Sequence, residues 1–121
     1  MAKILVVEDD DSVRDFTARA LRASGHTVDT ADDGDSGLQQ VDAADGDYGL
    51  VLSDIRMPVM DGIEMAKRAA SNHPNLKILL MTGYAEQRER AADLKDVIID
   101  VIAKPFTLTD LRKTVEHALQ Q

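Results

Sequence analysis

Five short apolar runs recur along this chain, and each is followed by a stretch with helical spacing. The runs are Lys3–Val7, Thr27–Thr30, Tyr48–Ser53, Lys77–Met81 and Val97–Ala103. The first, third and fourth are continuous rather than alternating, as strands buried on both faces should be. Between them, Val13, Phe16, Thr17, Ala20 and Leu21 fall at i, i+3, i+4, i+7 and i+8, the stripe of a helix with one face in a core. Asp11 and Ser12 offer N-cap side chains for that helix, and Gly25 is its natural stop. Asp32–Ala44 carries a weaker stripe through Leu38 and Val41. Ile63, Ala66, Ala69 and Ala70 give a third, closed by His73-Pro74. Leu108, Leu111, Val115, Ala118 and Leu119 give the clearest, with Thr107 and Asp110 spaced as a capping box. Ala85–Lys95 is the poorest, rich in charge and short of apolar anchors, and predicts a short, loosely held helix. The alternation predicts an α/β fold: a (βα)5 unit whose five-stranded parallel sheet is covered by helices on both faces.

A chain of 121 residues is expected to form one domain, 1–121, able to bury roughly two thirds of its unfolded surface. With two Phe, two Tyr and no Trp, its core must be aliphatic. No apolar stretch approaches the ~20 residues that span a bilayer, and Met1-Ala2-Lys3 leaves no room for a signal peptide, so no membrane association and a cytoplasmic location are expected. The absence of Cys excludes disulfides and thiolate chemistry. A formal charge of −8 argues against nucleic-acid binding, which needs a basic footprint.

In a parallel sheet every strand delivers its carboxyl end to one edge, where ligands bind. Here the first run stops at Glu8-Asp9, the third at Asp54, the fourth at Thr82 and the fifth at Lys104-Pro105. Taken singly, each has a plainer reading. Glu8 to Asp11 suits the first turn of a helix, Asp54 a turn cap, Thr82 a turn and Lys104 a loop. Together they bring three carboxylates, a hydroxyl and an ammonium to one rim. Two carboxylates in close contact repel by on the order of 4 kcal/mol at an effective dielectric near 20, so such a cluster takes up protons or a cation. All-oxygen donors without His or Cys suit Mg²⁺. A hydroxyl and a lysine beside it complete a phosphoryl site, leaving Asp54 as the nucleophile.

These residues carry a resemblance. ILVVEDD (Ile4–Asp10), LSDIRMPVMDG (Leu52–Gly62), LLMTGYA (Leu79–Ala85) and AKPF (Ala103–Phe106) resemble, in sequence and spacing, the receiver domains of two-component response regulators. The resemblance implies a CheY-like, flavodoxin-type fold with strand order 2-1-3-4-5. It implies Asp54 as phosphoacceptor, and Glu8 and Asp9 around Mg²⁺ with Asp9 the more direct ligand. The backbone carbonyl of Arg56 would complete the metal's protein ligands. Thr82 and Lys104 would sense the phosphoryl group, with Pro105 after a cis bond. The implied donor is a phosphohistidine of a sensor histidine kinase or histidine phosphotransfer protein. The implied output is phosphorylation-dependent binding of a protein target, by a monomer or a phosphorylation-dependent dimer. The usual partner face comprises Ala85–Lys95, the fifth strand and the last helix. His26, His73 and His117 read as surface residues rather than donors.

One departure stands out. Three residues before Lys104, where the family typically has an aromatic, the chain has Val101. Tyr84 is the substitute expected to couple with Thr82, and Arg56 and Tyr84 together are expected to shield an acyl phosphate from water. The TGYA and KPFTL pieces look similar to receivers of hybrid histidine kinases and to stand-alone alphaproteobacterial regulators of the CpdR kind. A receiver excised from a larger protein is therefore an alternative. No output segment follows Gln121, which speaks against direct transcription control. A Mg²⁺-dependent aspartyl-nucleophile phosphohydrolase is the rival from another class. It would need a general acid at Arg56, which cannot donate a proton, and a cap domain for which the length leaves no room. A degenerate docking module would not need every phosphorylation residue.

Overall fold

The computed structural model describes residues 2–121. Five strands, β1 (Lys3–Val7), β2 (Thr27–Ala31), β3 (Leu50–Asp54), β4 (Ile78–Thr82) and β5 (Asp100–Ala103), alternate with five helices. The helices are α1 (Asp11–Ala23), α2 (Gly34–Ala43), α3 (Gly62–Asn72), α4 (Ala85–Ala92) and α5 (Leu108–Leu119). All strand pairs are parallel, in the order β2-β1-β3-β4-β5.

Strand alternation divides the interior into two layers. Ile4, Val6, Leu50, Leu52, Leu79 and Met81 face Leu21 of α1 and Leu111 and Val115 of α5. Leu5, Val7, Val51 and Leu80 face Val41 of α2, Ile63 and Met65 of α3 and Ala91 of α4. The buried apolar residues are aliphatic or Met, with no aromatic among them. Each fully buried Leu or Ile contributes about 1.5–3 kcal/mol. The three central strands carry a continuous apolar run because both their faces are covered.

Several local expectations shift. The N-cap of α1 is Asp10, whose Oδ1 accepts the Val13 N–H at 3.0 Å, rather than Asp11 or Ser12. Phe16 of the proposed stripe stands 46% exposed. Tyr48 lies ahead of β3, where its hydroxyl donates to Asp29 at 2.8 Å. Val97 and Ile98 belong to a turn, both amides donating to the Leu94 carbonyl, so β5 begins only at Asp100. α4 stops at Ala92, short of Lys95. His26 is not a surface residue: it is buried, with Nδ1 accepting the Ala2 N–H at 3.2 Å. His117 is exposed, and His73 is partly buried against Asp42. The capping box of α5 is present, with Thr107 and Asp110 satisfying each other's amides.

The loop after β3 folds back sharply. The Gly62 amide donates to the Ile55 carbonyl at 2.8 Å, and a Cβ on Gly62 would overlap the Asp54 carbonyl oxygen. Only a residue without a side chain lets α3 start this close to the strand end that holds Asp54. We expect Gly62→Ala to lower unfolding free energy by about 1–3 kcal/mol through that overlap. Urea denaturation measures it, and an unchanged midpoint would show that the loop yields at no cost.

Candidate functional site

The strand ends converge at one edge of the sheet. Asp54 is the last residue of β3, Thr82 the last of β4, and Glu8-Asp9 and Lys104 directly follow β1 and β5. Carboxylate oxygens of Glu8, Asp9 and Asp54 all lie within 4.8 Å of one another. Lys104 reaches between them: its Nζ donates to Glu8 Oε1 at 2.6 Å and stands 3.2 Å from Asp54 Oδ2. Glu8 is wholly buried, and its second oxygen accepts the Asp10 amide at 3.2 Å. The Lys104-Pro105 peptide bond is cis.

Thr82 is placed differently from the carboxylates. It is buried, and its Oγ1 accepts the Tyr84 amide at 3.2 Å. Above the cluster opens a cleft of about 790 Å³, whose walls include Phe16, Arg56, Tyr84 and Phe106. The Arg56 guanidinium lies over the Tyr84 ring, 4.8 Å from its centroid. No general acid stands at that position, which removes the group a phosphohydrolase would need. Val101 lies away from this cleft, partly buried against the α2–α3–α4 layer. Sequence reasoning missed Phe16 as a cleft residue, because its position in an apolar stripe gave it to the core.

Residues 4–116 match the response regulator receiver domain model. The chain belongs to the response regulator receiver domain family. It is 38% identical to the response regulator receiver protein CpdR of Brucella abortus, covering 98% of both chains. It is 37% identical to the sensor kinase CckA of the same organism, over 99% of this chain but only 13% of that kinase. The solved chemotaxis response regulator CheY4 of Vibrio cholerae superposes with a TM-score of 0.87 at 30% identity, covering 98% of each chain. The CheY-like fold and strand order are thereby established, and receivers of this family serve as signalling phosphoacceptors for histidine kinases or phosphotransfer proteins.

The receiver's acidic cluster carries an electrostatic load. Burial pushes the Glu8 carboxyl up from its ordinary value, with Asp54 adding to the rise and the Lys104 bond opposing it. Partial burial and the neighbouring Glu8 push Asp9 up as well. Burial pulls the Lys104 ammonium down, but its bond to Glu8 and the charge on Asp54 outweigh that and leave it above its ordinary value. Glu8 and Asp9 thus hold protons more tightly than free carboxylates do. Three carboxylates without His or Cys fit Mg²⁺. Among the described residues no helix is long and apolar enough to cross a membrane.

Raised folded-state values for Glu8 and Asp9 mean that their contribution is complete below the ordinary carboxylate range and is lost as pH rises through the raised values. Removing Lys104 takes away what holds Glu8 down, so the loss deepens. We expect Lys104→Met to cost about 3 kcal/mol at pH 8 and much less at pH 5. Denaturant unfolding at both pH values checks this, and an equal loss at each would show that Glu8 does not depend on Lys104.

Proposed function

We propose that Asp54 is the phosphoacceptor of this receiver, taking a phosphoryl group from a phosphohistidine of a sensor histidine kinase or histidine phosphotransfer protein. The observation that carries the reading is the single lysine bridging Glu8 and Asp54 at the mouth of the only cleft where three carboxylates meet, among the described residues. An Asp54 oxygen forms the new P–O bond as the donor's P–N bond breaks. Lys104 then pairs with the phosphoryl oxygens, and the Thr82 hydroxyl donates to another. Asp9, Asp54 and the Arg56 carbonyl would hold Mg²⁺, with Glu8 alongside. When bound, the ion offsets the charge gathered on the transferring group. The stacked Arg56 and Tyr84 cover the acyl phosphate and slow its loss to water.

The output is proposed to be protein binding through the α4-β5-α5 face, as a monomer or a phosphorylation-dependent dimer. Likeness to CpdR, a response regulator receiver protein, along nearly its whole length supports the receiver reading. The cytoplasm is the compartment that suits a kinase donor.

Incubation with Mg²⁺ and a small phosphodonor tests the reading. We expect one phosphoryl group on the wild type by intact mass and none on Asp54→Ala. Decay of the label in the same experiment should run several-fold faster in Tyr84→Ala. A label that persists on Asp54→Ala overturns the assignment, and a wild-type half-life of only seconds overturns the shielding.

A further inference from the structure

Four acidic residues follow β1 in a row, Glu8, Asp9, Asp10 and Asp11. The fold sends them different ways. Glu8 takes Lys104 at 2.6 Å, and Asp10 turns back to cap α1 through the Val13 amide at 3.0 Å. Asp11 stands 90% exposed and pairs with Arg14. Asp9 is left to the cluster, beside Glu8 and Asp54. Its aim depends on the peptide unit that precedes it. The Glu8 amide is held by the Ala31 carbonyl of β2 at 3.0 Å. The Glu8 carbonyl accepts from Arg14 Nη1 at 2.9 Å. That carbonyl and the Asp9 amide share one rigid plane, so a bond to the first sets the direction in which the Asp9 side chain leaves the chain. Arg14 reaches back over the loop from α1, and its own amide donates to the Asp10 carbonyl at 2.9 Å. Its side chain is only 21% exposed and does not line the cleft. One planar fork thus holds a backbone carbonyl and a carboxylate together, which a single ammonium on a flexible stem does less well.

We propose that Arg14 is a positioning residue for the metal site: by holding the Glu8 carbonyl it aims Asp9 at the cation. This rests on the Mg²⁺ ligation proposed above. Arg14 acts through the Glu8–Asp9 peptide and does not touch the ion. Charge and position make opposite demands here, which separates them. A guanidinium near a cation site repels the cation, so by Coulomb's law alone its removal would tighten Mg²⁺ binding. Loss of a group that orients a ligand does the reverse, and such outer partners are worth ten- to a hundred-fold in metal affinity. Asp11 supplies the control, because it engages the same guanidinium and leaves the Glu8 carbonyl alone.

Calorimetric titration with Mg²⁺ alone tests this in wild type, Arg14→Gln, Arg14→Met, Arg14→Lys and Asp11→Asn, with circular dichroism to follow the fold. Arg14→Gln and Arg14→Met should each raise the Mg²⁺ Kd roughly ten-fold. Arg14→Lys keeps the charge and one donor, and should return to within about three-fold of wild type. Asp11→Asn should change Kd by less than about two-fold. In labelling with a small phosphodonor, the two loss variants should need more Mg²⁺ for half-maximal rate, with the rate at saturating Mg²⁺ little altered. An unchanged or lower Kd in the loss variants means that charge outweighs position and overturns the proposal. A loss in Asp11→Asn as large as theirs puts the effect on the ion pair and overturns it too. If one loss variant does not fold, the other carries the comparison, and unfolding of both shows a structural role in its place. A wild type that binds no Mg²⁺ overturns the metal reading itself, and the proposal with it.

Discussion

One ammonium between two carboxylates organises this molecule. Lys104 holds Glu8, which has no access to solvent, and reaches Asp54 as well, so the last residue of β5's approach is locked to the ends of β1 and β3. A buried carboxylate without that partner would be several kcal/mol too costly to keep ionised. The contact spans 96 residues of sequence and depends on the strand order, which sets β3 beside β1 and carries β5 two positions further out. A different sheet order would leave Glu8 buried and unpaired.

The same arrangement trades stability for readiness. Aliphatic layers on both faces of the sheet supply the cohesion, while the carboxyl edge gathers like charges that the fold could have avoided. A cation bound there would relieve repulsion already present in the folded state. α4, next to the site, has a single buried residue, whereas α3 has five and is capped by Asp61. A helix so lightly held can respond to a contact that would not move its neighbours.

Much of this was readable beforehand. Continuous apolar runs pointed to the parallel sheet, and the polar residues after four of the five runs pointed to one edge of it, because a parallel sheet sends all those ends one way. The capping box at Thr107 and the poor anchoring of Ala85–Lys95 were equally plain from residue chemistry, although the helix there stops at Ala92. Other features were hidden for physical reasons. Glu8-Asp9-Asp10-Asp11 offers several side chains able to cap a helix, and only backbone geometry selects Asp10. Val97-Ile98-Ile99 has the composition of a strand, yet a turn around Leu94 takes its first two amides. His26 looked like a loop residue and is buried by the Ala2 backbone and α5. The Asp61–Arg90 pair joins residues 29 apart across two elements, and no local pattern encodes it.

The most direct measurement is a crystal structure of the protein with Mg²⁺ and beryllium fluoride, a stable mimic of an acyl phosphate. It should reveal density continuous with the Asp54 carboxylate and the Lys104 ammonium drawn from Glu8 onto a fluoride. An adduct on Glu8 or Asp9, or a Lys104 that stays on Glu8 beside a modified Asp54, would contradict the role given to that lysine and that carboxylate.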